Sequence, residues 1–409
     1  MSRPPHLSPA NLHDRPESSN GSSPRHPQQS TDSFALRLGL FYAAYFLFGG
    51  IQWPYFPLWL EAKGLDARAI GLVIAVPMLV RLAATPIVTH AADRRRALKA
   101  ALVLCAAGAT LATALLGSVD GLIAILLLSA LAAIASAPVL ALTDAYALTG
   151  LAARGRAYGP VRLWGSVAFI VANVGAGLAL DWIAPGHLIW LIVAALAMTV
   201  VAAAALAPLE PGGPHAEAPA VARRDFWRSP EFLAVAATVA LVQPSHALFY
   251  GFSTLEWRAA GLHGVTIGVL WGIGVTAEIV LFAMSARVTG ALGATLLLVI
   301  GSAGAVIRWT AMAFDPPAAV LPLLQVLHAA SFGATHLGAM AFLARAVPRE
   351  LAATAQGGVA TATGLVMAGA TALSGLMFSA WGSVAYLAMA GMALAGFASA
   401  LIAWRRAGS

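Results

Sequence analysis

The sequence predicts an all-α integral membrane protein with twelve transmembrane helices arranged as two pseudo-symmetric six-helix bundles. Three observations carry this. Of 409 residues, 60% are hydrophobic and 10% charged, against about 25% charged in a soluble domain, so the bilayer is this chain's solvent. Twelve apolar stretches approach the ~20 residues that a helix needs to cross a membrane. Basic residues also fall overwhelmingly on alternate connections.

The spans lie near 35 to 60, 69 to 89, 97 to 117, 121 to 145, 160 to 182 and 187 to 208, then 231 to 257, 264 to 286, 290 to 313, 317 to 343, 352 to 379 and 383 to 404. Residues 1 to 34 precede the first; they are rich in Pro, Ser, His and Asn, hold no apolar signal-peptide core, and are expected to be a disordered cytoplasmic tail. The first bundle is then 35 to 208. A polar linker, 209 to 229, leads to the second bundle, 230 to 409. Starting from a cytoplasmic N terminus, nineteen Lys and Arg fall in cytoplasmic segments, among them Arg94, Arg95, Arg96, Lys99, Arg223, Arg224, Arg405 and Arg406. Only Lys63, Arg68 and Arg258 stand opposite. That asymmetry places both termini in the cytoplasm, and it accounts for the net charge of +7 without a nucleic-acid partner. The single cysteine, Cys105, excludes a disulfide framework and a Cys-based metal site, so no cofactor is expected.

The halves repeat. Gly64, Leu65, Ile70 and Gly71, between spans one and two, recur as Gly261, Leu262, Ile267 and Gly268 between spans seven and eight, at a constant offset of 197. These are equivalent topological points, as parallel repeats require. The same offset pairs Arg81 with Glu278 and Trp53 with Tyr250. Glu278 interrupts the apolar run WGIGVTAEIVLFAM. A charge near the bilayer centre costs several kcal/mol unless it faces protein or water, so both Arg81 and Glu278 are expected to line a central cavity.

The chain resembles the major facilitator superfamily. The loop THAADRRRALK, 89 to 99, is similar to its G-x-x-x-D-R-x-G-R-[RK] motif, with Asp93 and Arg94 in place and Thr89 and Arg96 where glycines are usual. YGPVRLWGSVAFI (158 to 170), STLEWRAAGL (253 to 262) and QVLHAASFGATHLGAMAFL (325 to 343) resemble the phenylpropionate permease family, whose relatives include lactose-permease-type proton symporters. That resemblance implies proton coupling by an acid on span eight, an arginine on span nine and a histidine on span ten; Glu278, Arg308 and His328 occupy those helices. Ser331 stands where the resemblance implies a further carboxylate, one turn after the histidine. Asp144, late in span four, and Arg162, early in span five with Trp164 nearby, match the lactose-permease substrate pair. Asp93, Arg94 and Arg95 would gate the cytoplasmic face, or else serve only as a topology signal.

Each polar residue has a plainer reading. Glu278 could bridge to Arg308, and Arg308 could snorkel to the interface. Gln325, His328, Phe332, Thr335 and His336 form a polar stripe on span ten, with His336 at its edge. Gln243, His246, Tyr250, Ser253 and Trp257 do the same on span seven, answered by Tyr45, Gln52, Trp53 and Phe56 on span one. Trp53 and Tyr250 could flank an aromatic ligand, or Trp53 and Trp257 could belong to interfacial belts. Asp144 could equally form a gate or a structural pair near the cytoplasmic edge.

The expected function is proton-coupled uptake of a small organic carboxylate, with aromatic character, across a bacterial inner membrane by a monomer. Arg81 would take the carboxylate, Trp53, Gln52, His246, Tyr250 and Gln325 the rest of the ligand, and Glu278 the proton. A sugar or nucleoside symporter and a drug/proton antiporter are the alternatives. An intramembrane enzyme is disfavoured, since the sequence holds no H-E-x-x-H, no G-x-S-x-G and no Cys pair.

Overall fold

In a computed structural model, residues 27–209, 227–347 and 351–407 are described. Residues 1–26 of the expected tail and 210–226 of the expected linker lie outside them. The described residues are helical throughout, without a strand. Spans one to six are Pro27–Ala62, Ala67–Arg94, Leu98–Gly117, Leu122–Ala152, Tyr158–Leu180 and Leu188–Ala205. The first helix thus starts within the expected tail. The fourth outruns its expected end at 145, because nothing in AYALTGLA stops a helix before Gly155, which turns the chain at φ +61°.

The second half is less regular. Span seven is Pro230–Val242 and Ala247–Ala259, parted by a 3-10 turn at Pro244–His246. Pro244 supplies no N–H to an α-helix, which is why the turn tightens there. Span eight, Gly264–Ala283, is followed by a separate short helix, Ser285–Leu292, and span nine is Ala294–Met312. Span ten is Leu321–Val326 and Thr335–Ala346, joined through a π-helical stretch, Ala329–Ala334. Spans eleven and twelve are Ala352–Trp381 and Tyr386–Ala407. Gly382, at φ +55°, divides an apolar run whose 54 helical residues would otherwise reach about 80 Å.

The 197-residue repeat extends to hydrogen bonds. Leu65 N–H donates to Leu60 O and Gly64 N–H to Glu61 O; Leu262 donates to Trp257 O and Gly261 to Arg258 O. Gly64 and Gly261 sit at φ +80° and +86°, the left-handed cap for which glycine is suited. Spans two and eight begin at Ala67 and Gly264, again 197 apart. Arg81 and Glu278 therefore each lie fourteen residues past the first residue of their helices.

The halves meet along two related crossings, span two on span eleven and span five on span eight. Both are closest on the face bearing the 63–66 and 260–263 connections, here the far face, opposite the arginine-rich face of 94–97. A Cβ on Gly71 would approach the backbone of Gly375 to 3.0 Å, and one on Gly264 or Gly268 would collide with the carbonyl of Gly177 or Asn173. Within the first half, Tyr55 of span one steadies span five at this crossing by donating to Asn173 O at 2.8 Å. Toward the arginine-rich face, by contrast, Arg81, Pro86, Ile87 and His90 on span two and much of 354–366 on span eleven are exposed. The halves are closed at one end and parted at the other.

Because Gly268 has no room for a side chain only while the far face is shut, Gly268→Val should oppose closure by the ~1–3 kcal/mol of an overpacked contact. In a Cys105→Ser background, a cysteine at Trp53 should become more reactive to an impermeant thiol reagent added on the far face. Unchanged reactivity would show that this crossing does not close the path.

Candidate functional site

Arg308 of span nine organises the polar interior of the second half. It is 0% exposed. Nη2 donates to Gln325 Oε1 at 2.8 Å, while Nη1 donates to His328 Nδ1 at 3.0 Å and reaches Ser331 Oγ at 3.5 Å. Its Cζ lies 4.5 Å from the ring centre of Phe249 and 4.6 Å from that of Trp309, two cation–π contacts on adjacent sides that offset part of the desolvation cost. No carboxylate lies within ion-pairing distance of it among the described residues. Both plainer readings are thus overturned: Arg308 is walled in by rings and amides instead of snorkelling, and it forms no direct bridge to Glu278.

His328 stands between them, with Nε2 3.5 Å from Glu278 Oε2. The network fixes its tautomer. A guanidinium only donates, so Nδ1 must accept and the ring proton sits on Nε2, facing the carboxylate. The same logic fixes His246. Its Nδ1 lies 3.2 Å and 3.1 Å from the carbonyls of Val242 and Gln243, so Nδ1 carries the proton and Nε2 accepts from Ser331 Oγ at 3.0 Å. The result is one polar string, Glu278–His328–Arg308–Ser331–His246, in which Glu278, with a 20% exposed side chain against 11% for His328, is the most open member. A second proton on His328 would have to enter at Nδ1, against Arg308. A proton reaching the string therefore stays on Glu278 unless the arginine moves.

The π stretch of span ten shapes this end of the string. It begins directly after His328, and Phe332 within it stacks on that imidazole at 5.2 Å and 18°. Gln243 of span seven donates to Phe332 O at 3.3 Å, satisfying backbone that the π geometry loosens. Ser331 and Thr335 are fully buried, whereas His336 is exposed, stacks on Phe332 and lies tilted against Phe282, at the edge of the stripe. Two expected ligand contacts are corrected here: His246 at 0% exposed and Gln325 at 1% sit behind the cavity wall, held by the string. Trp257 is buried against Phe249, not interfacial. Tyr250 is half-buried and stacks between His246 and Trp271.

In the first half, Arg81 is exposed and, with Arg162 and Asp144, lies within electrostatic reach of the Tyr45 hydroxyl, which donates to Ser136 O. Trp53 is 54% exposed with Phe169 behind it at 5.3 Å, beside a partly buried Gln52. Asp144 does not pair with Arg162. Its Oδ1 accepts from Tyr42 at 2.6 Å and Tyr158 at 2.8 Å, two turns before the end of its helix, and Arg162 lies instead over Phe46 at 4.0 Å. Trp164, two residues on and so about 200° around the helix from Arg162, packs against Gly39 away from that group. Asp93, Arg94 and Arg95 are exposed on the arginine-rich face. Arg96 takes φ +50°, the conformation that makes glycine usual at its place in the loop motif. An apolar groove of about 390 Å³ between spans five, eight and ten is lined by Ile170, Val269, Thr276 and Val326 among others, and by no titratable side chain.

Comparison with known proteins agrees with this architecture. The model of the MFS_1 like family matches residues 35–388. The chain is 30% identical over 365 residues to a probable 3-phenylpropionic acid transporter of Escherichia coli (strain K12), covering 87% of this chain and 94% of that one. It is 31% identical over 326 residues to a maltose permease of Geobacillus stearothermophilus, covering 77% and 80%. Among solved structures, the nucleoside transporter NupG superposes with TM-score 0.79 at 16% identity over 90% of this chain and 98% of that one. A bacterial homologue of the human lysosomal transporter Spinster, inward-facing and unoccupied, gives 0.71 at 13% identity over 93% and 97%. Such distant likenesses speak to the fold alone. With the family model spanning most of the chain, and curated relatives aligned over most of their length, the chain belongs to the MFS_1 like family of the major facilitator superfamily and is a multi-pass secondary transporter.

Proposed function

We propose that the chain is a proton-coupled symporter that brings a small aromatic carboxylate into a bacterial cell across the inner membrane. Lys and Arg asymmetry supports a cytoplasmic arginine-rich face and cytoplasmic termini, so the conformation described is open inward. The observation that carries the reading is the string ending at Glu278, a single carboxylate at the cavity border tied through one neutral histidine to a buried arginine. Ionised, Glu278 balances Arg308 across His328. Protonated, it leaves that charge uncompensated, which favours entry of an anion together with the proton. Arg81, exposed on the opposite half, as many residues into its helix as Glu278 and without a carboxylate partner among the described residues, takes the substrate carboxylate bidentately. Trp53, backed by Phe169, offers the ring a face, with Gln52 beside it and Tyr250 across. His246 and Gln325 hold the string and do not touch substrate. Asp144, clamped by Tyr42 and Tyr158, and Arg162 guard the inner vestibule, while Asp93, Arg94 and Arg95 close the cytoplasmic face in the opposite state. The name of the Escherichia coli relative supports an aromatic acid. A sugar or nucleoside cargo is the second reading, favoured by the names of the maltose and nucleoside carriers.

Uptake of radiolabelled 3-phenylpropionate, maltose and a nucleoside into proteoliposomes, with and without an inward proton gradient, separates these readings. Only the aromatic acid should accumulate, and only with the gradient; maltose or nucleoside accumulation would transfer the assignment to that cargo. Glu278→Gln imitates the permanently protonated carrier, so accumulation should be lost while exchange of internal for external substrate survives. Accumulation that persists would remove Glu278 as the coupled site. Arg81→Ala should abolish both and weaken substrate binding roughly 10- to 100-fold, the loss of a charge-assisted contact worth about 1.5–3 kcal/mol. His328→Ala should uncouple transport, whereas His336→Ala should leave it nearly unchanged; the reverse ranking would place the working face of span ten on the other side of the helix.

A further inference from the structure

The repeat breaks at the cap of span eight, and the break lies on the path between the halves. Span two supplies its own N-cap: Asp66 Oδ1 accepts from Ala69 N–H at 2.9 Å, satisfying one of the donors that every helix start leaves free. Its counterpart 197 residues on is His263, which caps span eight with no side-chain bond. The missing acceptor comes from the other half. Asp181, at the C-cap of span five, accepts from Gly264 N–H through Oδ1 at 2.9 Å and from Val265 N–H through Oδ2 at 3.4 Å. Its Oδ1 also lies 3.6 Å from Arg258 Nη1, at the end of span seven. All three contacts cross from the first half to the second.

We infer that Asp181 is a latch for the far face: it lends span eight an N-cap that exists only while the halves are shut there. Its carboxylate meets both the positive end of a helix dipole and a guanidinium, and its side chain is only 22% exposed, so solvent does not replace these contacts cheaply. The glycine crossings bring Gly264 against Gly177, four residues before Asp181, which sets the carboxylate over the helix start. When the far face opens, span eight loses its cap and Asp181 and Arg258 return to water. Span two, capped by its own Asp66, bears no such cost, and among the described residues its crossing with span eleven carries an exposed bond from Arg68 Nε to Ser379 Oγ at 3.2 Å and a weak one from Thr371 Oγ1 to Met78 Sδ at 3.7 Å, with no carboxylate in either. Outer opening is therefore resisted mainly on the side of spans five and eight. The inference rests on alternating access by two halves, not on the cargo or on proton coupling.

The test is a distance distribution between spin labels at Ile123 and Phe314, exposed positions near the far face on opposite halves, in purified Cys105→Ser protein. Asp181→Ala should raise the ratio of far-face-open to closed molecules roughly 2- to 30-fold, the range of a lost N-cap. Asp181→Asn, which keeps shape and an acceptor but loses the charge, should shift it less and guards against misfolding of the alanine variant. The deciding protein is His263→Asp with Asp181→Ala, in which span eight is capped from its own half as span two is. A latch predicts that this protein stays shifted toward open. Distances that match the parent in both single variants, or return to the parent in the double variant, would overturn the latch and leave Asp181 an ordinary helix cap.

Discussion

A guanidinium does not give up its proton, so a chain that buries one within a membrane must neutralise it or surround it with acceptors and rings. Arg308 is such a group, and most of the second half's irregularity is arranged around it. Span seven tightens at Pro244 beside His246. Span ten loosens into a π stretch directly after His328. Trp309 and Phe249 lie against the guanidinium, and Gln325, His328 and Ser331 accept its hydrogen bonds. Each of these residues looks, taken singly, like a polar residue misplaced in an apolar helix. Together they are the acceptor set of one cation, whose compensating charge arrives only at the far end of a histidine, on Glu278. On the proposed reading this indirect compensation is what makes the site responsive, because a direct ion pair would hold its proton state more rigidly.

The frame that holds the site is symmetric and the chemistry on it is not. Offset by 197 residues, the same capped turn and the same helix start place a cation in one half and a carboxylate in the other, equally far along their helices. The crossings that shut the far face are likewise related, span two with eleven and five with eight, and glycines bring backbones into contact in both. Yet among the described residues only one crossing carries a carboxylate across the gap. Repetition supplies a hinge-like architecture at little cost, and departures from it, at 81 against 278 and at 66 against 263, carry the transport chemistry and the gate.

Much of the frame is legible in the sequence. Hydrophobic composition and span length give the class and the number of crossings, and four repeated residues give an offset that holds down to the first residue of spans two and eight. The interior was legible only in part. Arg308 is close to the end of span nine in sequence, so snorkelling and burial are equally open until the rings of Phe249 and Trp309 are seen to enclose it. Ser331 reads as a missing acid, because a serine between two histidines from different helices has no signature in one helix's pattern. His246 and Gln325 share stripes with cavity residues, but a stripe says which residues face together and not how deep they lie. The extent of span four moved Asp144 inward by two turns, since Gly155 is a stop signal that apolar counting passes over.

The central claim is that one proton and one carboxylate travel together by way of Glu278. It is tested most directly with a pH electrode in a weakly buffered suspension of proteoliposomes held at zero potential with no gradients. Adding 3-phenylpropionate outside should draw protons in with the anion and make the medium alkaline, with wild type responding and Glu278→Gln silent. Substrate entry without alkalinisation, or an equal response from Glu278→Gln, would contradict the account.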